Sequence, residues 1–234
     1  MCARYTLTAE EKEILKAYPH QIQGEWNPNY NLAITQKGLV ITADEPDIIQ
    51  QMAFGIVPHF ALSLKLTRDT WNIKSETAME SGLWRPLLKF HKTCLVMADG
   101  FYEWKELAKG EKQPYRFTLK NRKLFCFAGL WSQWMDAETG EKFRTYGILT
   151  TEANPLVAQI HSKKRMPVIL TKPEEEIWLS KSLPLETKML VLDTFPEEEM
   201  KRTQVGKRVN AVSTLKKPNN DPDLLSPLNT DEDL

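Results

Sequence analysis

The chain has 234 residues, 41% of them apolar and 26% charged, with 31 basic side chains set against 31 acidic ones. That length supports one sizeable domain and leaves too little for two plus a linker. Apolar runs end after a handful of residues, which argues against a membrane-spanning helix, and the charged stretch at 8–18 predicts no secretory leader.

Thr8 and Glu11 match a capping box and predict a helix to about Tyr18. Short apolar runs separated by turn residues then predict strands at 32–34, 39–41 and 48–54, the first two parted by Gln36-Lys37-Gly38. A helix is expected over 83–91, and strands over 95–98, 115–119, 124–130, 144–150, 167–170 and 189–192, with a hairpin turn at Gly140 between two of them. Further helices are expected at 155–160 and 173–182, the second with Pro173 in its first turn and glutamates close behind. Strands outnumber helices without alternating with them. The expected class is therefore α+β, a single domain with a mainly antiparallel sheet or open barrel and a few peripheral helices. That domain is expected over 1–217. The Pro-, Asn-, Asp- and Ser-rich stretch 218–234 reads as an acidic, disordered tail.

Charge and cysteine usage add two expectations. Residues 201–217 carry six basic and no acidic side chains, and an acidic segment follows, so a neutral chain can still present a basic face. Solvated helices and an acidic tail would read the same way. Three cysteines without paired spacing argue against a disulfide framework and for a reducing, cytoplasmic setting.

Cys2 has an unusual position. Loss of Met1, common before a small second residue, would leave a 1,2-aminothiol, with an α-amine near about 7.8 beside a thiol near about 8.5. Its amine can condense with an aldehyde to an imine, and its thiolate can then close a five-membered thiazolidine, which an internal cysteine cannot do. A frayed terminus with an incidental cysteine fits the same position. Cys94 and Cys126 lie in apolar runs and read as core. Glu103, among the aromatics of Gly100-Phe101-Tyr102-Glu103-Trp104, reads equally as a proton-transfer carboxylate of raised pKa or as an exposed strand residue. His161, beside Lys163, Lys164 and Arg165, reads as an acid–base group, a member of a phosphate-binding patch, or a structural histidine. Trp71-Asn72-Ile73-Lys74 places an aromatic, an amide and a cation together, a combination suited to single-stranded nucleic acid, although a strand Trp is more often core. His20, His59 and His91 lack zinc-site spacing, and no glycine-rich phosphate loop is present.

In order, several segments resemble the SRAP family, the SOS response-associated peptidase or abasic-site processing family. They are Met1-Cys2-Ala3-Arg4-Tyr5, Tyr30-Asn31-Leu32-Ala33, Phe54-Gly55-Ile56-Val57-Pro58, residues 72–77, Ala98-Asp99-Gly100-Phe101-Tyr102-Glu103-Trp104 and Phe127-Ala128-Gly129-Leu130-Trp131. Thr150-Thr151-Glu152-Ala153-Asn154, Ile160-His161, Arg165-Met166-Pro167 and Val209-Asn210 complete the set. The resemblance implies the SRAP fold and a covalent bond from Cys2 to the ring-opened abasic deoxyribose in single-stranded DNA. It implies that Asn72 positions amine and sugar, that Glu103 shuttles protons and assists release of Met1, and that His161 transfers protons around ring opening and crosslink reversal. Arg4, Lys74 and Arg165 would hold flanking phosphates and Trp71 would contact DNA; lyase activity is a further implied property. No cofactor, no metal and no membrane partner is implied, and the chain is expected to act as a monomer.

The chain departs from the pattern at several points. Lys74 stands where arginine is common, which weakens any bidentate phosphate contact. Ala3, Ile34 and Phe54 replace a usual Gly, Pro and Trp, and two residues are added between His161 and Arg165. These changes read as detail of the DNA groove. Two other functions fit the same residues: an N-terminal-nucleophile thiol peptidase acting on a peptide, and a non-catalytic single-strand binding module.

Overall fold

Two apolar runs, 93–98 and 125–131, are too uniformly apolar for strands with one wet face, and both are buried on both sides. The computed structural model describes residues 2–65 and 69–228. Its strands are β1 (Arg4–Leu7), β2 (Gln21–Ile22), β3 (Asn29–Ala33), β4 (Lys37–Thr42), β5 (Ile48–Phe54), β6 (Asn72–Lys74) and β7 (Thr93–Ala98). There follow β8 (Gly100–Glu106), β9 (Lys112–Leu119), β10 (Phe125–Met135), β11 (Lys142–Glu152), β12 (Arg165–Pro167), β13 (Ile169–Leu170) and β14 (Met200–Gln204). The α-helices are short: α1 (Glu11–Ala17), α2 (Trp84–Lys89), α3 (Pro155–Ala158), α4 (Lys172–Leu179) and α5 (Leu185–Met189).

One sheet has the order β14-β9-β8-β1-β3. The other runs β12-β11-β10-β7-β4-β5-β2, and β5 also pairs in parallel with β11 through Ala53–Thr145 and Phe54–Tyr146. The path β11-β10-β7-β4-β5 thereby returns to β11, so the expected barrel is closed rather than open. Its strands serve two cores. Leu95 and Met97 pack with Ile14, Leu88 and Trp178 of the helices, while Cys94, Val96 and Ala98 pack with Tyr5, Phe101 and Phe117 of the five-stranded sheet. Cys94 and Cys126 are core residues, as expected.

Tyr5 of β1 reaches across to β11, its hydroxyl 2.5 Å from that of Tyr146. Both hydroxyls lie over Gly38 of β4, where a Cβ atom would collide with them. The Gly140 turn joins β10 to β11 with a φ of 72°, a left-handed geometry suited to glycine.

Four expectations need correction. The α1 capping box is formed by Glu10 and Glu13, not Thr8 and Glu11. Thr8 is drawn off by Asp99, whose carboxylate accepts from the Thr8 hydroxyl at 2.7 Å and from Thr6 at 2.5 Å. The apolar run 189–192 is no strand but the end of α5 and the turn after it, because Pro184 starts a helix and Val191 and Leu192 fill the helix-side core. Residues 218–228 are packed rather than free: Leu224 enters an apolar cluster with Tyr102, Val205 and Val209. Residues 229–234 of the expected tail lie outside the described residues. Phe54, read as groove detail, is a core residue stacked on Tyr146 at 5.2 Å. No helix among the described residues is long and apolar enough to cross a membrane.

Gly38→Ala should destabilise the protein by about 1–3 kcal/mol, the usual range for overpacking a core. Gly82→Ala, where a Cβ meets nothing within 4 Å, should change stability by less than about 0.5 kcal/mol. Urea midpoints of the two variants check this.

Candidate active site

Four elements from distant parts of the sequence meet at the start of β1. Residue 2 lies two positions before that strand, which is hydrogen-bonded to β3 on one side and β8 on the other. Asn72 opens β6, which runs parallel to β11 with Asn72 beside Ile148. Glu103 lies in the middle of β8, opposite Tyr115 of β9. His161 follows α3, a one-turn helix capped by the Asn154 side chain with Pro155 in its first turn. The chain after His161 folds tightly back: Lys164 donates to the His161 carbonyl at 2.8 Å and has a φ of 49°.

Cys2 is 1% exposed. The Asn72 side-chain amide donates to its carbonyl at 2.9 Å, and its thiol lies 3.5 Å from the Arg4 carbonyl. Burial, and then the neighbouring Glu103 carboxyl, push the Cys2 thiol well above its ordinary range, so it carries its proton at neutral pH. Glu103 is equally buried, and burial raises its carboxyl to about 8. Among the described residues, Glu103 Oε1 and Asn72 Oδ1 accept no hydrogen bond.

His161 Nε2 stands 3.6 Å from Glu103 Oε2, and its Nδ1 accepts the Arg165 backbone N–H at 3.1 Å. An Nδ1 that accepts leaves the ring proton on Nε2, toward Glu103. Burial lowers His161 to about 4. With Glu103 near 8 and His161 near 4, the pair at neutral pH is a protonated carboxyl beside a neutral imidazole, not a salt bridge. Such a pair offers the Glu103 carboxyl as a proton donor with His161 Nε2–H beside it as a hydrogen-bond donor.

Glu103 and His161 line a cleft of about 770 Å³ together with Arg4, Trp104, Lys163 and Lys207. Cys2 and Asn72 are not on its wall, although Ala3 is. The expected DNA contacts divide. Arg4 lines the cleft, with its guanidinium bonded to Asn31 Oδ1 at 2.8 Å and the Val209 carbonyl at 3.0 Å. Lys74 is exposed and Trp71 half-buried against the core. Arg165 is engaged by Glu76 in a two-pronged ion pair, 2.6 and 2.9 Å, and by the Thr150 carbonyl. It braces β12 against the turn after β6, and a phosphate would have to displace Glu76. Lys207 escaped the sequence reading, since one lysine in a basic stretch carries no mark of facing a cleft. It pairs with Glu111 at 2.6 Å. No group of three metal-ligating side chains occurs among the described residues.

The family model described as SOS response associated peptidase (SRAP) matches residues 1–212. The chain belongs to the SRAP family. It is 35% identical to the abasic site processing protein YoqW of Bacillus subtilis over 96% of this chain and 99% of that one. It is 29% identical to the abasic site processing protein HMCES of Gallus gallus, over 88% of this chain and 68% of that protein. A solved Bacteroides thetaiotaomicron protein matches with a TM-score of 0.85 at 28% identity, covering 97% of this chain and 100% of that one. The SRAP fold is thereby shown for this chain.

The two buried groups bias stability in opposite directions with pH. The unfolded chain releases the Glu103 proton near 4.5 and the native state near 8, so its contribution is complete below 4.5 and is lost as pH rises toward 8. His161 contributes fully above its ordinary 6.5 and loses that contribution as pH falls through about 4. Glu103→Gln should therefore gain in melting temperature relative to wild type as pH rises from 5 to 8.5. A difference that stays constant over that range would contradict the assignment.

Proposed function

We propose that this protein processes abasic sites in single-stranded DNA by bonding to them covalently through Cys2 after loss of Met1. The observation that carries the reading is the buried Glu103–His161 pair, 3.6 Å apart on the cleft wall, together with the Asn72 amide that holds the Cys2 carbonyl. The family and the names of its relatives supply the substrate class.

The chemistry uses the Cys2 amine and thiol once each and the Glu103 carboxyl repeatedly. The abasic furanose opens to its aldehyde as the ring oxygen takes a proton from the Glu103 carboxyl and the C1′ hydroxyl gives one back to it, with His161 Nε2–H donating a hydrogen bond to the departing ring oxygen; the carboxyl is left protonated as before. The Cys2 amine attacks C1′, and the resulting carbinolamine loses its hydroxyl as water when the Glu103 carboxyl protonates it. The thiol then adds to the iminium carbon, its proton passing to the Glu103 carboxylate just formed, while the C=N electron pair returns to nitrogen. Aldehyde and aminothiol become thiazolidine and water. Saturating C1′ removes the iminium that would acidify C2′, so strand cleavage by β-elimination is suppressed. In the same reading Glu103 assists Met1 release.

A thiol peptidase acting in trans would need an accessible, activated thiolate. That alternative predicts turnover of a peptide added in trans, which release of Met1 alone would not supply.

Intact-mass measurement with an abasic single-stranded oligonucleotide should show loss of Met1 and an adduct equal to protein plus oligonucleotide minus water. Cys2→Ala should abolish the adduct, and Glu103→Gln should slow its formation by about a hundredfold or more, the usual scale for a lost acid–base group. An adduct that persists in Cys2→Ala, or none with the mature wild-type terminus, sinks the reading.

A further inference from the structure

Arg4 is held by backbone carbonyls from the far end of the chain. Its Nη1 donates to Val209 and its Nη2 to Asn210, at 3.0 and 3.4 Å, and Asn31, its side-chain partner, donates to the Val209 and Ala211 carbonyls. The Nε edge of Arg4 donates no hydrogen bond among the described residues. These carbonyls sit in and just after a single 3₁₀ turn, Lys207–Asn210, which has little hydrogen bonding of its own to fix it.

What fixes that turn lies beyond the stretch matched by the family model. Asn219, 8% exposed, donates to the Arg208 and Ala211 carbonyls at 3.0 and 2.8 Å and accepts from the Arg208 guanidinium at 3.1 Å. Asn220 ties the same segment to the entry of β3, accepting from the Tyr30 N–H at 2.7 Å and donating to the Pro28 carbonyl at 3.0 Å. Leu224 packs beneath the turn against Val209 and Tyr102. Ala211 is bonded from both sides, by Asn31 and by Asn219.

We propose that Asn219, Asn220 and Leu224 form a latch that positions Arg4: they hold the 207–211 turn so that it occupies the Nη1 side of the guanidinium and leaves the Nε edge for a phosphate of the bound strand. An arginine meets a phosphate best with a fixed planar fork, so loosening the turn weakens strand binding without touching the reacting groups. The inference rests on the DNA-binding reading above, not on the thiazolidine step.

Two measurements on the full chain test it: anisotropy with a labelled undamaged single-stranded oligonucleotide, and crosslinking rate against abasic oligonucleotide concentration. Asn219→Ala should raise both the Kd and the half-saturating concentration about threefold to tenfold, the scale of one or two lost hydrogen bonds. The limiting crosslinking rate should stay within about twofold, the mark of a binding and not a chemical defect. In an Arg4→Ala background the same change should add nothing. A wild-type Kd in Asn219→Ala, or an equal further loss on top of Arg4→Ala, overturns the latch. If thermal melting shows that Asn219→Ala does not fold, Asn220→Ala, whose bonds lie at the surface, decides by the same criteria. Wild-type protein that binds the oligonucleotide without crosslinking refutes the crosslinking reading and leaves the latch to the anisotropy result. Wild-type protein that does not bind refutes both.

Discussion

Chain termini usually fray, yet here the first strand is an inner strand of its sheet, and the site depends on that. β1 pairs with β3 through Arg4–Ala33 and Tyr5–Leu32, and with β8 through Tyr5–Phe101 and Thr6–Gly100. Asp99 secures its far end through Thr6 and Thr8 and is itself held by Arg116 at 3.1 Å. The Tyr5–Tyr146 contact over Gly38 ties the strand to the closed ring of the other sheet. Residue 2 is thus fixed by structure on both sides of β1, and Asn72 grips its carbonyl. A reactive amine on a free terminus would lose most of its orientational advantage; on a locked strand it keeps it.

The same burial that locks Cys2 sets the protonation of its neighbours. An ion pair between Glu103 and His161 would require removing two charges from water, and a separation of 3.6 Å offers too weak a contact to compensate. Both groups neutralise instead. Arg165 contributes through its backbone N–H, which fixes the His161 tautomer, while its own charge is turned to Glu76. The cation beside His161 in sequence therefore acts on the site mainly through hydrogen bonding, a distinction that charge spacing alone does not reveal.

Much of the strand content was legible, because runs such as 93–98 and 125–131 are apolar on both faces and have few other places to go. Ring closure was not: the β5–β11 contact is parallel and joins residues about ninety positions apart, which no local pattern encodes. Thr8 was misread as a cap because its competitor, Asp99, is brought up by tertiary structure. Polar composition at 218–228 concealed one buried leucine and two asparagines with specific partners. Among the site residues, Cys2 and Glu103 were visible as chemistry-bearing types. The burial that shifts their pKa values follows from β8 being covered on both faces around Glu103, where alternation alone allowed either side.

That burial also orders the steps of the proposed reaction. A thiol held above its ordinary range supplies almost no thiolate before substrate arrives, so the sulfur is a poor first nucleophile. The amine must act first. Its condensation requires an acid to expel water, the role proposed for Glu103, whose carboxyl burial pushes up to about 8. Once Glu103 has given up its proton it is a carboxylate in a buried setting that disfavours its charge, and therefore a strong base next to the one thiol that must lose a proton. The first step thus creates the base required by the second, and a single buried carboxyl suffices for both because the amine and thiol belong to the same residue.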